Sequence, residues 1–541
     1  MARLSTSTDS RGKWMALAAA LLGWMFDGLE QGMFPLVGPN ALDELLPSQS
    51  AVVKDQWFAV ILAVYLIGAA TGGVAFGWLG DRVGRVRAMS LSILTYAIFT
   101  GLCGFATHVW QIAVLRFISS LGMGGEWALG VALVTELWPD RSRALVAGLI
   151  GAAANVGFLA IAIVSLVLVG LIHGVGNFLL AMGVSQSIVA ALLHGDGWRL
   201  IMMVGALPAF LVFLIMWYVP ESHKWEAERD RGGTSHWATR DLFGVVFGGI
   251  GAAAVVLLWS PMFSTFVRAV DSGDSANLGL PAWAKVLRGV GSGAGLLLAL
   301  VGFIYPVVRY LARAEAAGAL GERDRRRCVG RLLFGASLAG VALLGTWGSV
   351  QWIPKWSIAL AKLLPAAGGP YHAKEITLIC LSVGAIIGTI AGALAGGWLG
   401  RRVTYAMLCV GSFLSLVYLY EANAAFDAKF LIATFAVGAI TAAFYGWFPL
   451  YLPELFPTSI RATSQGFAFN FGRVLSSIGS LQTATLIAYF SRGIAPERIE
   501  IDAFSKTGAT LAAIYLIGIA IIWLGPETKG KPLPEHMGDV H

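Results

Sequence analysis

GWLGDRVGRVR, residues 77–87, lies between two strongly apolar stretches, and a weaker copy, GWLGRRVTYAM, occupies 397–407. In an apolar chain, a basic glycine-rich loop that returns marks two related halves. A second repeat supports this, because ELWPDRSRA at Glu136–Ala144 matches ELFPTSIRA at Glu454–Ala462. The first pair is offset by 320 positions and the second by 318, with Gly148 falling on Gly466. Six membrane spans and their connections need about a hundred residues fewer than that. An insertion between the halves is therefore expected.

The chain has 541 residues, of which 57% are hydrophobic and only 13% charged, and its mean hydropathy is +0.73. That composition excludes a water-soluble enzyme with one core. Windows of about 20 apolar residues, enough to cross a hydrocarbon core, recur along the chain and must be helical to satisfy their backbone. They lie near 14–38, 56–80, 86–106, 110–137, 143–172 and 198–219, then 332–353, 375–398, 404–421, 429–452, 463–490 and 508–525. Two more, near 242–267 and 286–312, form an extra hairpin and bring the expectation to fourteen. The stretch Leu171–Gly197 is apolar but glycine-broken and reads as an extracytoplasmic helical excursion. The polar start, Met1–Lys13, leads into an apolar stretch carrying Asp27 and Glu30 with no small-residue cleavage site, so it opens a first spanning helix rather than a signal peptide.

The expected organisation is a six-helix bundle over 1–219, a central segment over 220–330 holding the hairpin (242–312), and a second six-helix bundle over 331–541. Most of the 38 Lys and Arg, including Arg82, Arg85, Arg87, Arg141, Arg143, Arg325, Arg326, Arg327, Arg401 and Arg402, fall on the side that also holds both termini. This is the positive-inside bias and predicts both ends in the cytoplasm. It accounts for the net charge of +7 without a nucleic-acid partner. Cys103, Cys328, Cys380 and Cys409 are far apart, and the eight histidines are scattered, so neither disulfide nor metal spacing is present. No cofactor is expected.

On these residues the chain resembles the major facilitator superfamily. GWLGDRVGRVR is similar to that family's loop between helices 2 and 3, RFISSLGMGGEW (116–127) to its helix-4 motif, and PETKG (526–530) to the end of its sugar and metabolite porters. FDGLE (26–30), GGEW (124–127) and ELFPTSIRATSQGFAFNFGR (454–473) resemble metabolite:proton symporters, and the added hairpin resembles the sialic acid transporter branch. The resemblance implies two pseudo-symmetric six-helix bundles that rock around a central site, with a cytoplasmic latch that favours the outward-facing state.

The motif residues suggest roles. Gly77, Gly80 and Gly84 let helix ends approach, and Asp81 lies among Arg82 and Arg85 as the latch. The second copy places Arg401 where Asp81 would stand, so the latch is expected to be asymmetric. Glu136 with Arg143, and Glu454 with Arg461, are expected to pair at the next loops, whereas Arg87 and Arg402 read as solvated topology charges. Counting 1.5 Å per residue puts Asp27 in helix 1 and Arg116 in helix 4 at one depth, and an ionisable residue there needs a partner or a wet cavity. Asp27, Arg116 and Glu126 are the expected proton-coupling residues, a static ion pair being the alternative for the first two. Glu30 and Gln31, one turn outward, are expected to line a cavity.

Asn470, Arg473, Ser477 and Ser480 form one polar stripe on an apolar helix. Arg473, whose repeat counterpart is Asn155, sits near the midplane and suits a carboxylate, the alternative being a bridge to a helix-1 acid. Gln351 is a further substrate candidate, and Trp352 and Trp356 read as an interfacial belt. Sugar porters carry paired glutamines in helix 7, where only Gln351 is found. Fourteen-span drug antiporters carry a Gly-Pro pair in helix 5, absent from GLIGAAANVG (148–157). No GxxxxGK[ST] loop is present for a primary pump. The expectation is a multi-pass inner-membrane carrier, not an enzyme, acting as a monomer and importing a small organic acid or acidic sugar with protons. A neutral sugar or polyol is the alternative, and an efflux carrier or a sensor a more distant one.

Overall fold

The computed structural model describes residues 5–270, 280–364, 372–495 and 498–536. Among them there is no strand. The first group comprises α1 (Ser5–Leu45), α2 (Ala51–Val83), α3 (Arg85–Cys103), α4 (Val109–Leu137), α5 (Arg143–Ala181), α6 (Gln186–Val204) and α7 (Ala209–Tyr218). A short helix, α8 (His223–Asp230), leads to the inserted α9 (Leu242–Trp259), α10 (Pro261–Val270) and α11 (Ala282–Ala316). The second group comprises α12 (Glu322–Gly348), α13 (Ile353–Ala361), α14 (Ala373–Leu399), α15 (Arg401–Ala422), α16 (Ala428–Tyr451), α17 (Arg461–Phe490), α18 (Phe504–Ala512) and α19 (Ile514–Ile521).

Twelve helices among the described residues are long and apolar enough to cross a membrane, against the fourteen suggested by hydropathy windows. The two outside that count, α1 and α17, are 41 and 30 residues long. They carry the buried polar residues Asp27, Glu30 and Gln31, and Gln465, Asn470 and Arg473. The excursion over 171–197 is helical as expected: α5 runs on to Ala181, and α6 breaks at His194–Gly197, where Gly195, Asp196 and Gly197 have φ of 56°, 57° and 67°. The break is tied to the end of α1, because Glu44 accepts bonds from Trp198 (2.7 Å) and Arg199 (2.8 Å).

Small residues set the packing, as in other membrane helix bundles. The two groups meet along two seams, α2 against α17 and α5 against α14 and α16. At the first, a Cβ on Gly466 would run into the Gly73 carbonyl; at the second, one on Gly148 would lie 2.9 Å from the Ile390 Cα and 3.2 Å from the Ala393 Cβ. Gly148 and Gly466 are the repeat-related pair, so the duplication places its smallest residues where the halves touch. The hairpin is part of this bundle: α9 lies against α2 and α17, and Val256 and Phe303 share one core with α12 and α17.

Candidate functional site

At one end of the bundle, carrying the α2–α3 and α14–α15 turns, the structure builds the same charged arrangement twice. Gly84 (φ 113°) separates α2 from α3, and Gly400 (φ 102°) separates α14 from α15, a backbone region that favours glycine. The next residue is an arginine in both cases. Arg85 donates to Glu136 (3.1 Å) and to the Gly80 carbonyl (2.8 Å); Arg401 donates to Glu454 (2.6 Å) and to the Gly396 carbonyl (2.8 Å). The backbone N–H of Arg85 donates to Glu221 (2.9 Å), and that of Arg401 to Glu527 (3.0 Å). Ser222 and Thr528 complete the shells of Glu136 and Glu454.

This geometry corrects the repeat register. Arg401 corresponds to Arg85, not to Asp81, and the counterpart of Asp81 is Gly397. The asymmetry expected of the latch holds, through a missing carboxylate and not through a reversed charge. The expected local pairs Glu136–Arg143 and Glu454–Arg461 are also corrected. Arg461 pairs with Glu136 (2.8 Å) and Arg143 with Glu454 (2.9 Å), each across the two halves. The reason is that both arginines begin helices, α17 and α5, that pack against the opposite group. Asp81 pairs with Arg85 (2.9 Å) and accepts from Thr463 N–H (2.8 Å), Thr463 Oγ1 (2.6 Å) and Ala462 N–H (3.2 Å), so it caps the N-terminus of α17 from the other half.

Of the other expected gating residues, Gly77 makes room for the Ala462 carbonyl, where a Cβ would lie at 2.7 Å, and Gly80 packs against Leu129. Arg82 reaches Thr239 (2.6 Å) and the Trp78 ring, away from the second half. Arg87 is exposed as expected, but Arg402 donates to the Gly525 carbonyl and is not merely a solvated charge. The sequence reading missed Glu221, Ser222, Glu527 and Thr528. Their signal was Pro-Glu-Ser at 220–222 and Pro-Glu-Thr at 526–528, each just after the last helix of a half.

Farther from that end, burial falls on two sets of acids. Asp27 and Glu126 are fully buried neighbours whose four carboxyl oxygens receive no hydrogen bond among the described residues. Glu126 also lies against Gly23, one turn from Asp27. Arg116 does not pair with Asp27. It pairs with Glu30, which also accepts from Tyr65, Thr100 (2.9 Å) and Ser119 (2.9 Å). One helical turn separates Asp27 from Glu30, about 4.5 Å along the axis, within the reach of a long guanidinium. Depth alone did not choose between them.

A cavity of about 1050 Å³ opens between the halves, and Gln31, Asn155, Gln351 and Arg473 line it, as does Trp352. The cavity extends to Asp43 and Lys54, at the end of α1 and α2 away from the Gly84 turn. Glu30, Asn470 and Ser477 do not line it: Asn470 donates to the Gly124 and Gly466 carbonyls (both 3.0 Å), and Ser477 to the Val474 carbonyl of its own helix (2.7 Å). The side chain of Ser480 lies outside the described residues. Trp356 is buried, bonding the Ile501 carbonyl at 3.1 Å, and is not part of an interfacial belt. Arg473 is 3% exposed, lies over the Phe469 ring and sets Nη1 3.0 Å from the Met123 sulfur. No carboxylate among the described residues forms an ion pair with it, so the bridge to a helix-1 acid is not made. The remaining wall is mainly aliphatic, with the rings of Trp24, Phe158, Trp347 and Tyr445 and the charged Lys355, Lys374 and Glu375 set into it.

Comparison with known proteins places these features in context. A family model described as Major Facilitator Superfamily matches residues 16–363. A putative metabolite transport protein of Haemophilus influenzae is 25% identical over 98% of the chain and 100% of its own length. A niacin transporter of Acinetobacter baylyi is 23% identical over 95% of the chain and 93% of its own length. A sialic acid transporter of Escherichia coli is 30% identical over 39% of the chain and 44% of its own length. Among solved structures, a proton:xylose symporter bound to 6-bromo-6-deoxy-D-glucose matches with a TM-score of 0.60 at 17% identity, covering 98% of the chain and 99% of that protein.

Proposed function

The chain belongs to the major facilitator superfamily, a multi-pass membrane transporter and not an enzyme, and from that premise we propose that it imports a small organic acid or acidic sugar together with protons. The observation that carries this reading is Arg473, a buried guanidinium on the cavity wall with which no carboxylate among the described residues forms an ion pair. A buried cation needs a counter-charge, and a substrate carboxylate supplies one with two parallel hydrogen bonds. The rings on the wall suit a flat or ring-bearing body, and the amides of Gln31, Asn155 and Gln351 offer partners for ring nitrogens or hydroxyls. The niacin and sialic acid carriers among the relatives transport molecules of this chemistry.

In this proposal both termini are cytoplasmic, the Gly84 end is the cytoplasmic end, and the structure is the outward-facing state, with 1–219 and 331–541 as the rocking bodies of a monomer. The Asp27–Glu126 pair is the proton site. Two carboxyls facing each other, with the buried Tyr96 hydroxyl beside Glu126, suit a shared proton, and wetting during reorientation releases it. Glu30 and Arg116 then form a fixed ion pair that holds α1 to α4, in place of the proton-coupling role read for Arg116.

The test is uptake into proteoliposomes with and without an inward proton gradient, using nicotinate, N-acetylneuraminate, cis,cis-muconate and xylose. Arg473→Gln should weaken carboxylate affinity by about 10- to 100-fold, the worth of one charge-assisted bidentate contact. Xylose accumulation without competition from any carboxylate would replace this reading with the neutral-sugar one.

A further inference from the structure

The inserted hairpin is more than an addition to the outside of the bundle, because three of its residues, Trp259, Ser264 and Arg288, line the same cavity as Arg473. They come from the end of α9, from α10, and from a point about 10 Å into α11. Their neighbours on the wall include Phe58 and Leu62 of α2, so the hairpin walls the outer part of the cavity beside that helix. Arg288 is held in place by its own surroundings. Its Nε donates to the Leu258 carbonyl (2.8 Å) and its Nη2 to Ser264 Oγ (2.9 Å), while its guanidinium lies 5.1 Å from the Trp259 ring and 5.3 Å from the Phe263 ring. Trp259 is itself fixed by Ser292 (2.8 Å). Among the described residues no carboxylate forms an ion pair with Arg288.

We propose that Arg288 is an outer anion station on the substrate path, contributed by the insertion and lying ahead of Arg473. The station rests on the carboxylate reading above for its ligand class. Among the described residues, neutral hydrogen bonds and two rings orient the guanidinium and no carboxylate pairs with it, so its charge acts on the cavity. Arg473 then presents a second unneutralised cation deeper in. On the same lining Arg288 and Arg473 stand with Lys54, Lys355 and Lys374 against Asp43 and Glu375, a positive excess that draws a monocarboxylate inward and raises its local concentration. The competing assignment is an interfacial anchor, an Arg–Trp pair that holds lipid phosphate and leaves transport untouched.

Two measurements separate these, and the first does not depend on what is carried. In a Ser264→Cys protein with Cys380→Ser, the rate of modification from outside is compared for an anionic and a cationic methanethiosulfonate. The anionic reagent should react about fivefold faster, and Arg288→Gln should abolish that preference while Arg288→Lys keeps it. No preference, or a preference that survives Arg288→Gln, overturns the station. The second measurement is initial uptake of nicotinate, or whichever acid of the panel wild type accumulates. Arg288→Gln should raise KM about three- to tenfold, leave the maximal rate within twofold and flatten the dependence on ionic strength. An unchanged KM assigns Arg288 to the lipid anchor. If the labelling preference follows Arg288 but wild type accumulates no carboxylate, the transport reading fails and the anion station stands.

Discussion

Glu136→Gln tests whether the crossed ion pairs set the balance between the two faces. In the closed end Glu136 accepts from Arg461 of the opposite half at 2.8 Å and from Arg85 and Ser222 of its own half. Only the first contact breaks when the halves separate, so only that one enters the equilibrium between closed and open states. A hydrogen bond to a charged group contributes about 1.5–3 kcal/mol, and the glutamine retains a neutral one of about 1 kcal/mol. The net loss is about 1–2 kcal/mol, or about 5- to 30-fold in the closed-to-open ratio. Ser459, 5% exposed at this end, provides the probe as Ser459→Cys in a Cys380→Ser background. Its modification by an impermeant thiol reagent from the cytoplasmic side should accelerate by that factor in Glu136→Gln. Glu454→Gln, which loses the mirrored contact to Arg143, should match it, and the double variant should give the product of the two factors. Ser222→Ala removes a same-half bond and should change the rate by less than twofold. Unchanged labelling in Glu136→Gln, or an equal shift in Ser222→Ala, would refute the reasoning.

Asp27→Asn and Glu126→Gln should each abolish accumulation driven by a proton gradient while leaving substrate exchange within about threefold of wild type; accumulation by either variant would remove the shared proton site. The two N–H-capping carboxylates should titrate apart. Burial pushes Glu221 up, whereas Glu527 is held below the usual carboxylate range, against its burial, by the N–H groups of Arg401, Arg402 and Lys529. Charged Glu221 therefore costs folding free energy, and stability is gained as pH falls through its folded value. Glu527 contributes stability above its ordinary value near 4.3 that is lost as pH falls through its lower folded value. Infrared difference spectra between pH 7 and 3 should show the Glu221 carboxyl stretch first, with Glu221→Gln removing the earlier component. Protonation in the reverse order would contradict the assignment.

Hydropathy windows placed nearly every helix, because span length is set by the bilayer and leaves a direct mark on composition. What they did not place depends on a single helical turn. GWLG recurs letter for letter at 77 and 397, yet Arg401 functions in the place of Arg85, one turn out of that register. A four-residue shift leaves a glycine-rich helix nearly on the same face, so the pattern fits either register. Only the positive φ of Gly84 and Gly400 and the matching arginine contacts separate them. The partner of Arg116 escaped for the same reason, Asp27 and Glu30 being one turn apart on a face of α1. The crossed pairs failed differently: Glu136 and Arg143 are close in sequence, but the choice between Glu136 and Glu454 is made by which half α5 packs against, and no local pattern carries that. Arg473, Asn155, Gln31 and Gln351 were legible because amides and a cation on apolar helices stand out wherever they face.

The corrected register also gives the closure a direction. Asp81 places three hydrogen bonds on the first turn of α17, and beside that seam Asn470 of α17 bonds the Gly124 carbonyl of α4 and Arg85 of α3 the Thr458 carbonyl. At the mirrored seam, Gly397 faces Ala144 at the start of α5 with no carboxylate to offer, and the described polar links between the halves there include Arg143–Glu454 and Ser165–Glu375. The Asp81 cap on α17 thus has no equivalent at the mirrored seam, and the inserted hairpin packs against the α2–α17 seam. Because α2 and α9 are in contact and both line the cavity, the proposed rocking that would part α2 from α17 at the Gly84 end would also move the surface carrying Arg288. An insertion on the α5–α14 seam would have had no such connection. In the proposed mechanism its position lets one displacement break the Asp81 cap and reshape the outer approach to Arg473.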